Sequence, residues 1–228
     1  MSEPAPIAFS AEEALAMDRW LVSRGFRIEG LMATAGARVA EAARRLCRER
    51  GLTRTVFLVG PGNNGGDALV AERLLRPALE TLVWQPLPRA AGADALAGAD
   101  RARPPRVTAE PPALDARTLL VDGLFGVGLA RPLGGAARAA VQHVSASPAT
   151  VLAIDVPSGL DATTGEVLGG DEGVAVRAHE TVTFVGPKAG FFVGRGPELV
   201  GAWRAVDIGF PPREAEAWLM AWRAGKSS

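Results

Sequence analysis

Short apolar segments rich in β-forming residues recur along the chain and alternate with segments of helical spacing. Six such strand segments occupy residues 53–60, 80–84, 117–126, 150–159, 180–186 and 202–210. Strands of this length that alternate with helices are typical of a parallel sheet with helices on both faces. This alternation constrains the fold more than any other feature of the sequence, and it predicts an α/β architecture.

Helical patterns fill most of the intervals between the strand segments. The predicted helices cover residues 11–24, 28–50, 67–76, 134–147 and 213–222. Ser10 followed by Glu13 is a capping-box pattern, and Gly25 ends the first helix. Residues 86–117 are rich in Ala, Pro and Arg, and there we expect a helix over 90–102 and loop elsewhere.

Strand signals resume directly after the Ala/Pro-rich segment, so it does not read as a linker between domains. We expect a single domain over residues 1–228. Its parts would be N-terminal helices in 1–50, a sandwich core in 51–212, and a C-terminal helix and tail in 213–228.

Charge and cysteine content exclude several classes of protein. The 228 residues contain 25 Lys and Arg against 25 Asp and Glu, so the formal net charge is zero and no basic field attracts nucleic acid. No segment approaches the roughly 18 apolar residues of a membrane span, and the N-terminus lacks a secretory pattern. The single cysteine, Cys47, rules out an internal disulfide and fits a reducing compartment. We therefore predict a cytoplasmic protein with no nucleic-acid and no membrane partner.

Residues 60–65, GPGNNG, match the G-x-G-x-x-G pattern of dinucleotide-binding turns, but two features depart from that pattern. The tip of the next strand segment offers Gln85 where an acid would hold a ribose. Asp67 would repel a pyrophosphate if it stood at the start of the next helix. A carboxylate there also stabilises the helix dipole, so a purely structural role for Asp67 stays open.

The polar residues of this turn suit a different ligand. Asn63 and Asn64 add carbonyl acceptors and amide donors, and Gly65 and Gly66 permit backbone turns that other residues resist. Such a loop can bind hydroxyl groups, or a hard cation through oxygen atoms.

Two further strand segments end in an aspartate followed by a polar loop. Asp122 follows TLLV, and Asp155 follows VLAI. Because ligands bind beyond the carboxyl ends of strands in open parallel sheets, we predict that both acids and the glycine-rich turn share one pocket. The loop GLFGVGLARPLGG after Asp122 is either a phosphate-contacting loop or a plain flexible loop.

Oxygen atoms dominate the candidate metal site. The candidate ligands are Asn64, Asp122, Asp155 and Ser158. They would suit a monovalent or hard divalent cation. Zinc is disfavoured because neither His143 nor His179 has a partner at ligand spacing. Ser158 also lacks the G-x-S-x-G nucleophile elbow, which argues against serine hydrolysis.

Four segments, taken in their order along the chain, resemble one known family. They are VGPGNNGGDALVAERLL, VDGLFGVGLARPL, AIDVPSGLDATTGEV and TVTFVGPKAGFF, preceded by the early LMATAG. Together they resemble the YjeF N-terminal domain family, the NAD(P)HX epimerases, over nearly the whole chain. The resemblance implies one YjeF N-terminal-type domain with a Rossmann-like three-layer α/β/α sandwich, a mostly parallel sheet, and a homodimer.

The activity that the resemblance implies is interconversion of the R and S forms of hydrated NADH and NADPH. It also implies functional pairing with an ADP- or ATP-dependent dehydratase that repairs only the S form. The fused dehydratase segment of bifunctional relatives does not follow residue 228, so we expect a stand-alone epimerase.

The resemblance also assigns site residues. Substrate contacts would come from Asn63, Asn64, Gly65, Gly66, Asp67, Gly126, Val127, Gly128, Leu129, Ala130, Arg131, Pro132 and Asp155. One potassium ion per subunit would be held by Asn64, Asp122 and Ser158. As catalytic residues we predict Asp122, which acts as acid or base or holds the cation, and Asp67, which orients the substrate.

Some residues depart from the family pattern, and other functions stay open. Ala33 and Ala68 stand where the family usually has Glu and Gly. Lys188 is a candidate phosphate contact, although we expect a surface lysine. A catalytically silent scaffold with the same fold is one alternative, disfavoured by the polar residues at the strand ends. An NAD-dependent oxidoreductase is another, disfavoured by Gln85 and by the absence of any tyrosine.

Overall fold

The computed structural model describes residues 7–90 and 104–226, and the sheet at its centre has seven strands. They are β1 (Arg54–Val59), β2 (Glu80–Trp84), β3 (Val107–Thr108), β4 (Thr118–Gly123), β5 (Thr150–Ile154), β6 (Glu180–Phe184) and β7 (Ala202–Val206). Their order across the sheet is β3-β2-β1-β4-β5-β6-β7, and every neighbouring pair is parallel. The predicted α/β architecture is confirmed, with a wholly parallel sheet in the described residues.

Helices connect the strands and flank the sheet. They are α1 (Ala11–Ser23), α2 (Ile28–Arg50), α3 (Asn63–Leu75), α4 (Gly135–Ser145), α5 (Gly196–Leu199) and α6 (Pro212–Lys226). Short 3₁₀ turns occupy Gly170–Glu172 and Ala189–Phe191. The capping box of α1 is confirmed, since the Ser10 hydroxyl accepts the Glu13 N–H at 3.2 Å and Glu13 Oε2 accepts the Ser10 N–H at 2.8 Å. Within the described residues, no helix is both long and apolar enough to span a bilayer.

Both faces of the sheet are buried, which produces the three layers of the sandwich. Along β1, Phe57 and Val59 pack in a core with α2 and α3, whereas Val56 and Leu58 pack in a second core with α4. Successive side chains of a strand point to opposite faces, so a strand covered on both sides must be apolar throughout. This is why the strand segments read as continuous apolar runs.

The N-terminal helix extends one face of the sandwich beyond the sheet. Met17 and Leu21 of α1 are buried with Leu219 of α6 in a third core, at the β6–β7 side of the sheet. The Trp20 and Trp218 rings lie 6.0 Å apart between these two helices. Because α1 packs here, another side of this helix lies close to the carboxyl ends of the central strands.

Two differences between the structure and the sequence prediction concern the first turn and the edge of the sheet. Helix α3 begins at Asn63, four residues before the predicted start at Asp67, so the segment NNGG is helical rather than loop. Strand β3 was not predicted, because only two residues pair with the edge of β2 and the register is Val83 with Val107. The helix expected over 90–102 lies, apart from Ala90, outside the described residues.

Candidate active site

The carboxyl ends of three adjacent strands converge at one edge of the sheet. β1, β4 and β5 are neighbours, with Leu58 opposite Asp122 and Asp122 opposite Ala153. The turn after β1 therefore lies beside the loops that follow β4 and β5. The two acids and the glycine-rich turn therefore lie at the same edge of the sheet, but of the two acids only Asp155 lines the cavity described below.

The glycines of the first turn serve close packing. A side chain at Gly60 would meet the Leu124 backbone, and one at Gly66 would meet Met32 Cε at 2.6 Å. Gly62 is the N-cap of α3 and provides no side-chain hydrogen bond to its first turn. The backbone N–H groups at this helix start therefore remain available to an anion.

The position of Asp67 differs from the one assumed in the sequence argument. Because α3 begins at Asn63, Asp67 is the fifth residue of the helix and does not stand at its N-terminus. Asp67 is therefore not placed to repel a pyrophosphate at the helix start. The helix-dipole role considered for this carboxylate no longer applies either. The helical NNGG segment was missed because paired glycines read as loop, whereas Met32 and the turn around Gly60 leave room only for glycine here.

Asp122 is fully buried, and both of its carboxylate oxygens accept hydrogen bonds. Its Oδ1 accepts the Ser158 hydroxyl at 2.7 Å and the Leu124 N–H at 3.2 Å, and its Oδ2 accepts the Ser158 N–H at 2.9 Å. The Ser158 hydroxyl also accepts the Phe125 N–H at 2.9 Å. Burial raises the pKa of Asp122 to about 6, while these hydrogen bonds work in the opposite direction. Asp122 and Ser158 thus hold the loops after β4 and β5 together.

Asp155 is held in a strained backbone conformation by a buried lysine. Its φ is +62°, a region that non-glycine residues rarely adopt. Lys188 is 3% exposed and its Nζ lies 2.7 Å from Asp155 Oδ1. Nζ also donates to the Thr183 hydroxyl at 2.8 Å and to the carbonyl oxygen of Gly186 at 3.0 Å. The expectation that Lys188 is a surface lysine was wrong, because this internal carboxylate and its neighbours hold the ammonium group inside.

Gly126 lies between the first turn and Asp155. A side chain on Gly126 would meet Asn64 Oδ1 at 3.1 Å and Asp155 Oδ2 at 3.4 Å. The Val127 N–H points at the same Asp155 oxygen, at 3.4 Å. Asn64 donates its amide to the Ile154 carbonyl at 3.2 Å. The three loops are therefore in direct contact around Gly126.

A cavity of about 450 Å³ opens beside these loops, between the sheet edge and helices α1 and α2. Most of its wall is apolar and comes from Phe9, Ala14, Met17, Val22, Ile28, Leu31, Met32, Ala35, Val127, Phe184, Val185 and Ile208. Its polar residues are Asp18, Arg19, Asn63, Asp67, Asp155 and Lys188. Its volume is within the range of small-molecule sites.

Asp67 is the buried carboxyl of this cavity that has no partner. It is 7% exposed, and its side chain accepts no hydrogen bond within residues 7–90 and 104–226. Burial, and then the negative charges of Asp155 and Asp18, raise the pKa of Asp67 well above the ordinary value for aspartate. A buried carboxyl group with a raised pKa and an open face toward a cavity is typical of a proton-transfer group.

The predicted site residues fall into three groups. Those that line the cavity are Asn63, Asp67, Val127 and Asp155. Those that build the contacts around it are Asn64, Gly65, Gly66, Gly126, Asp122 and Ser158. The rest of the loop after β4 lies outside the cavity wall: Leu129 packs on the α4 side of the sheet, and Gly128, Ala130, Arg131 and Pro132 are exposed.

Sequence reasoning missed Asp18 and the internal position of Lys188. Asp18 lies on α1, far from the motifs in sequence, and nothing in its local pattern separates it from an ordinary helix-surface acid. The VGPK segment was noticed, but the burial of its lysine depends on the N-terminal segment, where the Phe9 N–H donates to the Pro187 carbonyl at 2.8 Å. Both residues depend on contacts between distant parts of the chain.

The side chains predicted to hold a cation offer oxygen atoms at the strand ends. Among the described residues, no three His, Cys, Asp or Glu side chains form a group that could hold a metal ion. The Val151 N–H donates to His179 Nδ1 at 3.0 Å, and His143 Nε2 lies 2.8 Å from the Pro112 carbonyl. Asn64 Oδ1 is an oxygen that faces the loop contacts around Gly126, close to the carboxylate of Asp155.

Comparison with known proteins gives consistent matches. Residues 28–190 match the model of the family described as YjeF-related protein N-terminus. The chain is 42% identical over 188 residues to an NAD(P)H-hydrate epimerase of Bordetella bronchiseptica, covering 78% of this chain and 77% of that protein. It is 38% identical over 203 residues to a bifunctional NAD(P)H-hydrate repair enzyme Nnr of Thermofilum pendens, covering 82% of this chain but 37% of that protein.

The fold is also found in a solved structure. The crystal structure of the yeast protein ynu0 matches with a TM-score of 0.67 at 21% identity, over 90% of this chain and 95% of that chain. This likeness concerns the fold, whereas the family match and the Bordetella relative concern the sequence motifs themselves. The chain belongs to the YjeF-related protein N-terminus family.

Proposed function

We propose that this chain interconverts the R and S forms of hydrated NADH and NADPH in the cavity beside the strand ends. The observation that carries the proposal is Asp67, a buried carboxyl that has no hydrogen-bond partner among the described residues and faces a mostly apolar cavity. The curated relatives named NAD(P)H-hydrate epimerase, whose length the chain covers to 77%, support the same activity.

The reaction changes the configuration of one ring carbon and requires proton transfer to and from the oxygen bonded to it. The altered ring carbon of the hydrate carries a hydroxyl group and is bonded to the ring nitrogen, so it is a hemiaminal. Loss and return of the hydroxyl, or opening and closure of the ring, scrambles its configuration. A neutral carboxylic acid can protonate the departing oxygen, and the raised pKa of Asp67 favours this neutral form.

The rest of the dinucleotide would lie outside the cavity. The hydrated ring and its ribose suit a cavity of about 450 Å³. Asn63 lines the cavity and opens α3, whose first-turn N–H groups are suited to the pyrophosphate. The exposed residues of the loop after β4, from Gly128 to Pro132, would cover the outer part of the substrate.

We further propose a potassium ion at the strand ends, held by Asn64, Asp122 and Ser158. Their oxygen atoms are hard ligands, and Asp122 carries the negative charge that such a site needs. When bound, the cation would supply positive charge that polarises a nearby substrate oxygen. Asp122 then acts through the loop geometry and the cation rather than by direct contact, because its side chain does not line the cavity.

The setting of the reaction follows from the same resemblance. We propose a homodimer in the cytoplasm whose product is taken up by an ADP- or ATP-dependent dehydratase specific for the S form. The relative from Thermofilum pendens is named as a bifunctional repair enzyme, which is consistent with such a pairing. A silent scaffold is not favoured, because a scaffold has no need of an unpartnered buried carboxyl.

A coupled assay tests the proposed activity. Purified R-form hydrate of NADH is supplied with an S-specific dehydratase and its nucleotide, and recovery of the NADH absorbance is followed with and without this chain. We expect recovery to become much faster in its presence. A recovery rate equal to spontaneous epimerisation would overturn the proposal and favour a scaffold.

A further inference from the structure

Two carboxyl groups from different helices face the same cavity. Asp67 comes from α3 and is buried, whereas Asp18 comes from α1 and lies exposed at the mouth. Helix α2 lines the cavity with apolar side chains only, from Ile28 to Ala35. The cations that line the same cavity are Arg19 and Lys188, and Lys188 is paired with Asp155.

The other acids at this edge of the sheet are already occupied. Asp155 is paired with Lys188 at 2.7 Å, and its two oxygens accept further hydrogen bonds from Thr183 and Val127. Asp122 does not line the cavity and accepts three hydrogen bonds. Only Asp18 and Asp67 therefore combine a position on the cavity wall with a carboxyl group free of an ion pair in the described residues.

The charged groups around Asp18 act in both directions. Although its side chain reaches solvent, the packed atoms of the cavity mouth raise the pKa of Asp18 to about 6, and the charge of Asp155 adds to the rise. Lys188 and Arg19 oppose it. The negative charge of Asp18 in turn contributes to the raised pKa of Asp67. The ionisation of Asp18 therefore bears on the pKa of Asp67.

We propose that Asp18 is a second catalytic carboxyl of this site, which exchanges protons with the hemiaminal oxygen together with Asp67. The proposal rests on the proposed epimerase function and adds a residue to it. It stands on the shared cavity, on the origin of the two acids from separate helices, and on the unpartnered, more than nine-tenths buried Asp67.

The two acids divide the reaction into balanced steps. Neutral Asp67 donates its proton to the hydroxyl oxygen of the hydrate; the carbon–oxygen bond breaks, and the ring nitrogen's electron pair forms a carbon–nitrogen double bond as water leaves. Water then adds to the opposite face of that carbon and gives one proton to ionised Asp18. The proton returns from Asp18 to Asp67 through solvent at the cavity mouth, so no atom or electron is gained or lost overall.

The pH profile of Asp18→Asn tests this role. In the wild-type protein, kcat should fall below about pH 6, where Asp18 becomes protonated. The variant should lose this acid limb. At high pH, kcat should fall as Asp67 loses its proton. This fall should begin at lower pH in the variant, because removal of a like charge lowers the pKa of Asp67. At pH 7.5 we expect kcat to fall by about tenfold or more with KM within about threefold.

Controls separate chemistry from structure. Asp171→Asn, an exposed aspartate in a 3₁₀ turn outside the cavity, should keep the wild-type profile. Asp18→Glu should recover part of the acid limb. Carbon-13 NMR titration of the aspartate carboxyls supplies a readout that does not need turnover. Two groups, Asp18 and Asp122, should show a pKa near 6 in the wild-type protein. In Asp18→Asn the Asp18 signal should be lost and that of Asp122 retained, while the pKa of Asp67 should fall.

The outcomes distinguish this proposal from the activity itself. An active wild-type protein whose Asp18→Asn variant keeps both kcat and the acid limb would overturn the role of Asp18 and leave the epimerase function standing. A wild-type protein that does not accelerate epimerisation would overturn both. An unchanged NMR titration of the remaining carboxyls would show that Asp18 and Asp67 do not interact, which also contradicts the proposal.

Discussion

Two buried carboxyl groups at neighbouring positions of one site have opposite surroundings. Asp122 lies in β4, is 0% exposed, and accepts three hydrogen bonds that tie the loops after β4 and β5. Asp67 lies in α3, is 7% exposed, and accepts none within the described part of the chain. The comparison teaches that burial alone does not separate a structural acid from a reactive one, whereas the number of donors that meet the carboxylate does.

The satisfied polar groups can be regarded as a frame around the cavity. This strand-end frame consists of Asp122, Ser158, Asp155 and Lys188. Every one of them is buried and has its partners inside the protein. The frame fixes the loops so that Asp67 can remain unpaired, because a free carboxyl group in a collapsible site would be drawn toward a donor.

Removal of the buried ammonium group of Lys188 should destabilise the frame more than the loss of a single acceptor. Lys188→Met leaves Asp155 without its partner at 2.7 Å, and we expect the free energy of unfolding to fall by about 3–5 kcal/mol. Urea unfolding at pH 7.5 measures it. Arg195→Met is the matched control, since the Arg195–Glu198 pair is exposed and its loss should cost under about 1 kcal/mol. Equal losses in the two variants would show that Lys188 does not support the frame.

Loss of a single acceptor should damage the frame less. Asp122→Asn presents one acceptor oxygen and an NH₂ group where three donors converge. We expect turnover to fall at least about tenfold, with substrate binding largely kept. The free energy of unfolding should fall by about 1–3 kcal/mol. Initial rates and urea unfolding measure the two effects.

Asp115→Asn is the matched control for that variant. Asp115 accepts the Thr118 hydroxyl at 2.7 Å and the Arg117 N–H at 3.0 Å, at the start of the same strand and far from the cavity. Its turnover should match the wild-type value. A near-normal turnover in Asp122→Asn would refute the assignment of Asp122 to the site.

The pH dependence of stability tests whether Asp67 differs from Asp122 in the way described. Because the folded-state pKa of Asp67 is raised above its unfolded value, the folded protein binds more protons in the interval between the two, and this group's contribution to stability falls as pH rises through it. Asp67→Asn removes that loss, so its stability relative to the wild-type protein should increase from pH 4 to pH 8, by a final amount on the order of 1 kcal/mol. Thermal unfolding across this range would contradict the account if the variant lost stability relative to wild type as pH rises.

The sequence predicts the strand-end positions of Asp122 and Asp155 in the frame because their signals are local, but it does not predict the burial of Lys188. An acid that directly follows a run of apolar residues predicts both a buried strand and a polar strand end, and Asp122 after LLV and Asp155 after VLAI fit that pattern. Neighbouring positions of β1, β4 and β5 follow from the parallel order of an α/β sheet. The start of α3 was misjudged because local propensity treats two glycines as loop, while packing against Met32 decides their conformation.

The cavity could not be predicted from local patterns. Its wall depends on how α1 packs across the sheet edge, and contacts between residues such as Phe9 and Pro187 hold it there. Asp18 and Lys188 acquire their surroundings only through these long-range contacts. The unpartnered state of Asp67 is likewise a property of the assembled site, since none of the described elements around it supplies a donor.

The most direct test of the central claim is the rate at which pure R-form hydrate of NADH is converted to the mixture of epimers, followed by chromatographic separation of the two forms, with wild-type protein and with Asp67→Asn. The account predicts that the wild-type protein reaches the equilibrium mixture rapidly and that the variant, folded and at the same concentration, is slower by at least about 100-fold. Equal rates for the two proteins would contradict it.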